Sequence, residues 1–163
     1  MEDMTDTAEA DIARAEGLAA QASGAAPRSG HVHYAKGQVL RAQRRYAEAI
    51  PAYETVLAFD PNWVMALFCV GQCKLFAGSI EETIPLVERA MRLSPREPHG
   101  GNFYGQIGQV HLLQSRTDEA VIWLERARSA IPARPQIRAQ LAAAYALNGE
   151  TERPPPNSPR PAG

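Results

Sequence analysis

The sequence is short of several things that usually announce a function. It holds only two cysteines, Cys69 and Cys73, in 163 residues. That is too few for a disulfide-stapled scaffold. With no export signal visible, they read as reduced thiols in a cytoplasmic protein. Charge of neither sign is in surplus: 17 basic residues face 18 acidic ones, for a net charge of −1. There is therefore no bulk electrostatic case for nucleic acid or for an anionic membrane. No apolar run approaches the roughly 20 residues needed to span a bilayer. The N-terminus, MEDMTDTAEADIA, is acidic and lacks the apolar core of a secretory signal. Alternating β-branched runs are missing while alanine is abundant, which argues against sheet and leaves an all-α fold.

What is present is a repeated helical pattern. In YAEAIPAYETVLAFDPN (46–62), Ala49, Ile50, Tyr53, Val56 and Leu57 fall on a single face at the 3.6-residue period, and Asp60-Pro61-Asn62 stops the helix. The same segment recurs. In 79–97, Ile84, Ala90, Leu93 and Pro95 stand where the first copy has Ile50, Val56, Phe59 and Pro61, an offset of 34. In 117–134, Ala120, Leu124, Ala127 and Pro132 match Ala49, Tyr53, Val56 and Pro61 at an offset of 71. Each copy follows another helical stretch: His31 to Arg44, Trp63 to Phe76, and Asn102 to Leu113. Gly37, Gly71 and Gly108 share one register in these three. A glycine inside a helix costs about 1 kcal/mol, so its recurrence predicts a close helix–helix approach. Gly78 suits a left-handed helix end, and Ser79 with Glu82 reads as a capping box, with Ser115 and Asp118 as a weaker one. Pro51 and Pro85 share a register near the start of the second helix, tolerable within a first turn.

The predicted order is a flexible N-terminus (1–9), a half-repeat (10–27), repeats at 30–63, 64–97 and 101–134, a capping helix (135–149) with Ala142 at the glycine register and Asn148-Gly149 as its C-cap, and a disordered proline-rich tail (150–163). Three extra residues before the third repeat fall in Arg96–Gly101.

A 34-residue helix–turn–helix period, with Gly37, Tyr46, Ala49, Tyr53 and Asp60-Pro61 and their counterparts downstream, resembles the tetratricopeptide repeat family. The resemblance spans about residues 10–149. His33, Leu67 and Tyr104 stand where that family has tryptophan, and Thr83 where it has alanine. The resemblance implies a right-handed α-solenoid of about eight helices, each pair burying its apolar face against the next. It also implies a concave face lined by the first helix of each pair. A narrower likeness, over 90–132, is to repeats that follow bacterial class III adenylate/guanylate cyclase domains and winged-helix regulators. No cyclase motif is present.

Chemistry-bearing residues point away from catalysis. His31 and His33 at i, i+2 face different sides of a helix, and no acidic partner stands at ligand spacing, so no metal is expected. Cys69 and Cys73, at i, i+4, read as buried packing residues. No nucleophile sits in a glycine-framed turn, and no glycine cluster could cradle a phosphate. No cofactor is implied, and nothing supports an enzyme. Mapped through the family pattern, the concave face carries His31, Tyr34, Gln38, Arg41, Met65, Phe68, Gln72, Leu75, Phe76, Asn102, Gln109, Leu112 and Leu113. Gln38, Gln72 and Gln109 occupy one register. They are either an amide ladder for an extended peptide backbone or solvated helix formers. Phe68 and Phe76 either contact a peptide or pack against a neighbouring helix. The carboxylate clamp of chaperone-binding members would map to Tyr34, Gln38, Cys69, Asn102 and Gln106, none of them a cation, so that subtype is excluded. The expected function is a scaffold for a protein or peptide partner, with no nucleic acid and no membrane. A regulatory fragment of a cyclase-like or regulator protein and a self-associating homo-oligomer remain the alternatives.

Overall fold

The computed structural model describes residues 2–97 and 100–149. Among these, every regular element is helical, and they form two compact units, one within Met1–Pro98 and one within His99–Gly163. The first unit holds α1 (Glu2–Ala25), α2 (Gly30–Ala42), α3 (Tyr46–Phe59), α4 (Val64–Ala77), a 3-10 turn (Ile80–Glu82) and α5 (Thr83–Leu93). The second holds α6 (Gly100–Leu113), α7 (Thr117–Ala130) and α8 (Pro135–Leu147). All eight expected helices are there. α1 begins at Glu2 and not near Ala10, because no glycine or proline before Gly17 stops it. The polar opening stretch is thus helical from residue 2. The proline-rich tail, 150–163, lies outside the described residues.

In the α2–α3 and α6–α7 hairpins the glycine register does what the recurrence predicts. A Cβ on Gly37 would stand 2.6 Å from Cε1 of Tyr53, and one on Gly108 would stand 2.7 Å from Cγ of Leu124. Only a missing side chain lets α2 meet α3, and α6 meet α7, this closely. Tyr53 and Leu124 are themselves fully buried. At Gly71 the recurrence has a polar complement. Thr83 is completely buried and its Oγ1 donates to the Gly71 carbonyl at 3.1 Å. Threonine in place of alanine therefore ties α5 to α4 with its own donor satisfied.

The first helix of each pair ends in a left-handed residue at equivalent positions: Arg44 at φ 59°, Gly78 at φ 98° and Ser115 at φ 58°. Only Gly78 takes that conformation without a Cβ penalty. Neither expected capping box forms. Ser79 makes no side-chain cap, and Glu82 instead receives the Lys74 ammonium at 2.8 Å. Asp118 accepts from Asn148 Nδ2 at 2.9 Å, while Asn148 Oδ1 accepts from Thr117 Oγ1 at 2.9 Å, so α7's start is fastened to α8's end. Gly149, at φ 74°, follows Asn148 as the expected C-cap. Pro85 lies in the first turn of α5, but Pro51 is the sixth residue of α3, past the turn where a missing N–H is free.

Candidate partner-binding face

Tyr34, Gln38 and Arg41 recur at i, i+4, i+7 and so share one side of α2. Opposite them on α4 stand Cys69 and Gln72. Arg41 joins the two helices. Its Nε and Nη2 donate to Gln38 Oε1 at 3.2 and 2.7 Å, and its Nη1 donates to Gln72 Oε1 at 2.8 Å. Gln38 Nε2 in turn points at Cys69 Sγ, 3.7 Å away. All of Gln38, Arg41 and Gln72 are half-buried. The two glutamines of the expected amide register are therefore held by a cation between them.

Toward the start of α2 the same side becomes aromatic. Tyr34 stacks on Trp63 with centroids 5.5 Å apart, and His31 meets Trp63 edge-on at 4.8 Å. Tyr34 also packs edge-on against Tyr53 at 5.7 Å. Trp63 and Cys69 are members of this face that sequence reasoning did not assign to it. Trp63 carried a signal, as a large aromatic at the N-cap of α4; Cys69 carried one only as a position of the clamp that was excluded.

Burial sets the chemistry of the groups beneath. It pushes the Tyr34 phenol up to about 12, with Cys69 adding to the effect. Burial likewise raises the Tyr53 phenol and the Cys69 thiol, and pushes Cys73 up to about 12. The two thiols are thus protonated and poor nucleophiles at neutral pH. The Tyr53 hydroxyl is buried with no hydrogen bond of good geometry, Arg41 and Cys69 being its polar neighbours. Arg41 itself keeps its charge at any physiological pH.

The remaining expected face residues divide. Met65 is half-buried on α4. Phe68 and Leu75 are 8% and 4% exposed, so they belong to the core and not to a surface. Phe76 is half-exposed but stacks on Tyr46 at 4.9 Å. In the second unit, Leu112 is half-buried and packs against the core cluster of Ala120, Leu124, Leu141 and Ala144. Asn102 Oδ1 accepts from Arg134 Nη1, Gln109 is half-buried, and Leu113 is exposed. Gln106 is buried with neither amide atom hydrogen-bonded. Among the described residues, no three His, Cys, Asp or Glu side chains are grouped to hold a metal, and no helix is long and apolar enough to cross a membrane.

Residues 30–63, the α2–α3 hairpin with its closing turn, match the family model of the tetratricopeptide repeat. This hairpin is a tetratricopeptide repeat. The fold of the chain is that of tetratricopeptide proteins of known structure. MamA superposes with a TM-score of 0.70 at 18% identity, over 91% of this chain and 79% of that one. PilF of Pseudomonas aeruginosa gives 0.75 at 18% identity, over 87% and 64%. The first tetratricopeptide domain of Spaghetti (RPAP3), solved with an HSP90 peptide bound, gives 0.66 at 18% identity, over 74% and 93%. No curated protein matches the sequence. The repeat's turn is built by Asp60, whose Oδ1 accepts from the Asn62 amide at 2.9 Å, while the Pro61 carbonyl accepts from Arg89 at 2.7 Å. The Asp60-Pro61-Asn62 signature is thus both a helix stop and a link to the next hairpin.

Proposed function

We propose that the chain is a protein–protein interaction module, without enzymatic activity of its own, that holds an extended segment of a partner against the α2–α4 side of its first unit. The observation that carries this reading is the Gln38–Arg41–Gln72 array. It gathers three half-buried polar side chains from two helices beside the Tyr34–Trp63 stack. Carboxamides and a guanidinium offer donors and acceptors to a peptide backbone, and flat aromatic rings offer apolar area at low entropic cost. Gln109 of the second unit shares the register of Gln38 and Gln72. Burial of both cysteines, with protonated thiols, leaves this face nothing to act as a nucleophile. A regulatory segment of a cyclase-like or winged-helix protein is the narrower reading that the run 90–132 supports.

The test begins with selection of random-sequence peptides on the immobilised chain. Enriched peptides are then titrated against the wild type and against Gln38→Ala/Gln72→Ala. The double variant is expected to bind at least about tenfold more weakly while keeping its helical circular dichroism. Equal affinities would contradict the assignment of this face.

A further inference from the structure

Arg41 is a half-buried cation whose partners are all neutral. Its three hydrogen bonds go to glutamine carbonyls, and among the described residues no carboxylate lies within ion-pair distance of it. Its neighbours in the fold are Tyr34, Tyr53, Cys69 and Cys73, all four with ionisations suppressed by burial. Amide dipoles orient a guanidinium but do not neutralise it. A charge withdrawn from water is costly until an opposite charge meets it. Three of its five N–H groups are used, which leaves two to donate.

We infer that Arg41 is the receptor for an acidic side chain, an Asp or Glu within an extended segment of the partner. This rests on the partner-binding reading above and names the chemistry the partner must bring. Arg41 stands seven residues beyond Tyr34, about 10 Å along the helix at 1.5 Å per residue, a span of about three residues of extended chain. The Tyr34–Trp63 ledge takes an apolar residue on that flank. Gln72, its oxygen committed to Arg41, keeps its amide nitrogen to donate to a main-chain carbonyl. The charged contact is assigned to a side chain of a segment that continues past Arg41, and the amidated library separates that from a chain terminus. It also differs from the carboxylate clamp, whose positions here hold no cation.

The experiment uses twelve-residue peptides selected on the full chain, one library with amidated and one with free C-termini. In the amidated library, Asp or Glu is expected at a fixed position, two to four residues from an apolar one. Replacing that Glu by Gln should weaken binding about tenfold or more. On Arg41→Gln, the Glu and Gln peptides should bind alike, with helicity and melting temperature close to wild type. Peptides that bind this face without an acid, or whose acid is indifferent to Arg41→Gln, would overturn the inference while leaving the binding face standing. Enrichment only from free C-termini would assign Arg41 to a terminal carboxylate and equally overturn it. Selection of no peptide on this face would overturn the inference and the proposed function together.

Discussion

The ring of Tyr53 occupies the space in which residue 37 would otherwise carry a side chain: a Cβ there would meet Cε1 at 2.6 Å. This contact is where the α2–α3 hairpin closes. Gly37→Ala should therefore lower stability by about 1–3 kcal/mol through overpacking, despite alanine's better helix propensity. Gly17→Ala is the control. Nothing lies within 4 Å of a Cβ on Gly17, so the same substitution there should stabilise by up to about 1 kcal/mol. Denaturant unfolding of the two variants should give opposite signs. Like signs would refute the account of the glycine register.

Thr83 ties α5 to α4 through the Gly71 carbonyl at 3.1 Å. Thr83→Val keeps the shape and loses the donor, and should cost about 1 kcal/mol. Thr83→Ala also opens a void and should cost more. An unchanged urea midpoint for the valine variant would show that the hydrogen bond contributes nothing.

Arg44 and Ser115 hold left-handed backbone where the intervening repeat has Gly78. Ser115→Gly and Arg44→Gly should relieve about 1 kcal/mol of backbone strain each, offset in part by the freedom glycine gains on unfolding. Melting temperatures are expected to hold or rise. A clear fall in both would contradict the reading, since glycine elsewhere in a helical protein is usually costly.

His111 is 9% exposed, with an unpartnered Nδ1. Burial, and then the charge of Arg116, hold its imidazole below the ordinary value of 6.5, against the opposing pull of Glu119. The unfolded chain therefore takes up this proton more readily than the folded one. The stability His111 contributes is fully present above about pH 6.5 and is lost as pH falls through the lower folded value. Unfolding measured at pH 7.5 and pH 5 should show a larger drop for the wild type than for His111→Phe. A parallel drop would exclude His111 as the source.

Much of the fold was legible because it is periodic. Four proline stops and a three-fold glycine register mark hairpins whose helices start at Gly30, Val64 and Gly100. The proposed binding face was legible only in part, and α4 shows why. In VMALFCVGQCKLFA every residue from Ala66 to Gly71 is buried, so the helix is apolar around its circumference. Periodicity then cannot say which side is out; Leu75, expected on the concave face, is buried, and Phe68 takes the packing alternative. The capping boxes at Ser79 and Ser115 failed for a different reason. Glu82 and Asp118 find partners in Lys74 and Asn148, which lie eight and thirty residues away, beyond the local spacing from which a cap is read. Arg41's reach to Gln72 is likewise a contact across helices, 31 residues apart, for which the spacing of Gln38 and Arg41 alone gives no signal.

The central claim is that a partner segment lies against α2 and α4 of the first unit. Titration of an enriched peptide into isotope-labelled chain, followed by amide chemical-shift mapping, tests it most directly. The largest shifts should fall along Tyr34 to Arg41 and Met65 to Gln72, with the guanidinium resonance of Arg41 moving at the same peptide concentrations. Shifts confined to α3, α5 or the second unit, with Arg41 unmoved, would contradict it.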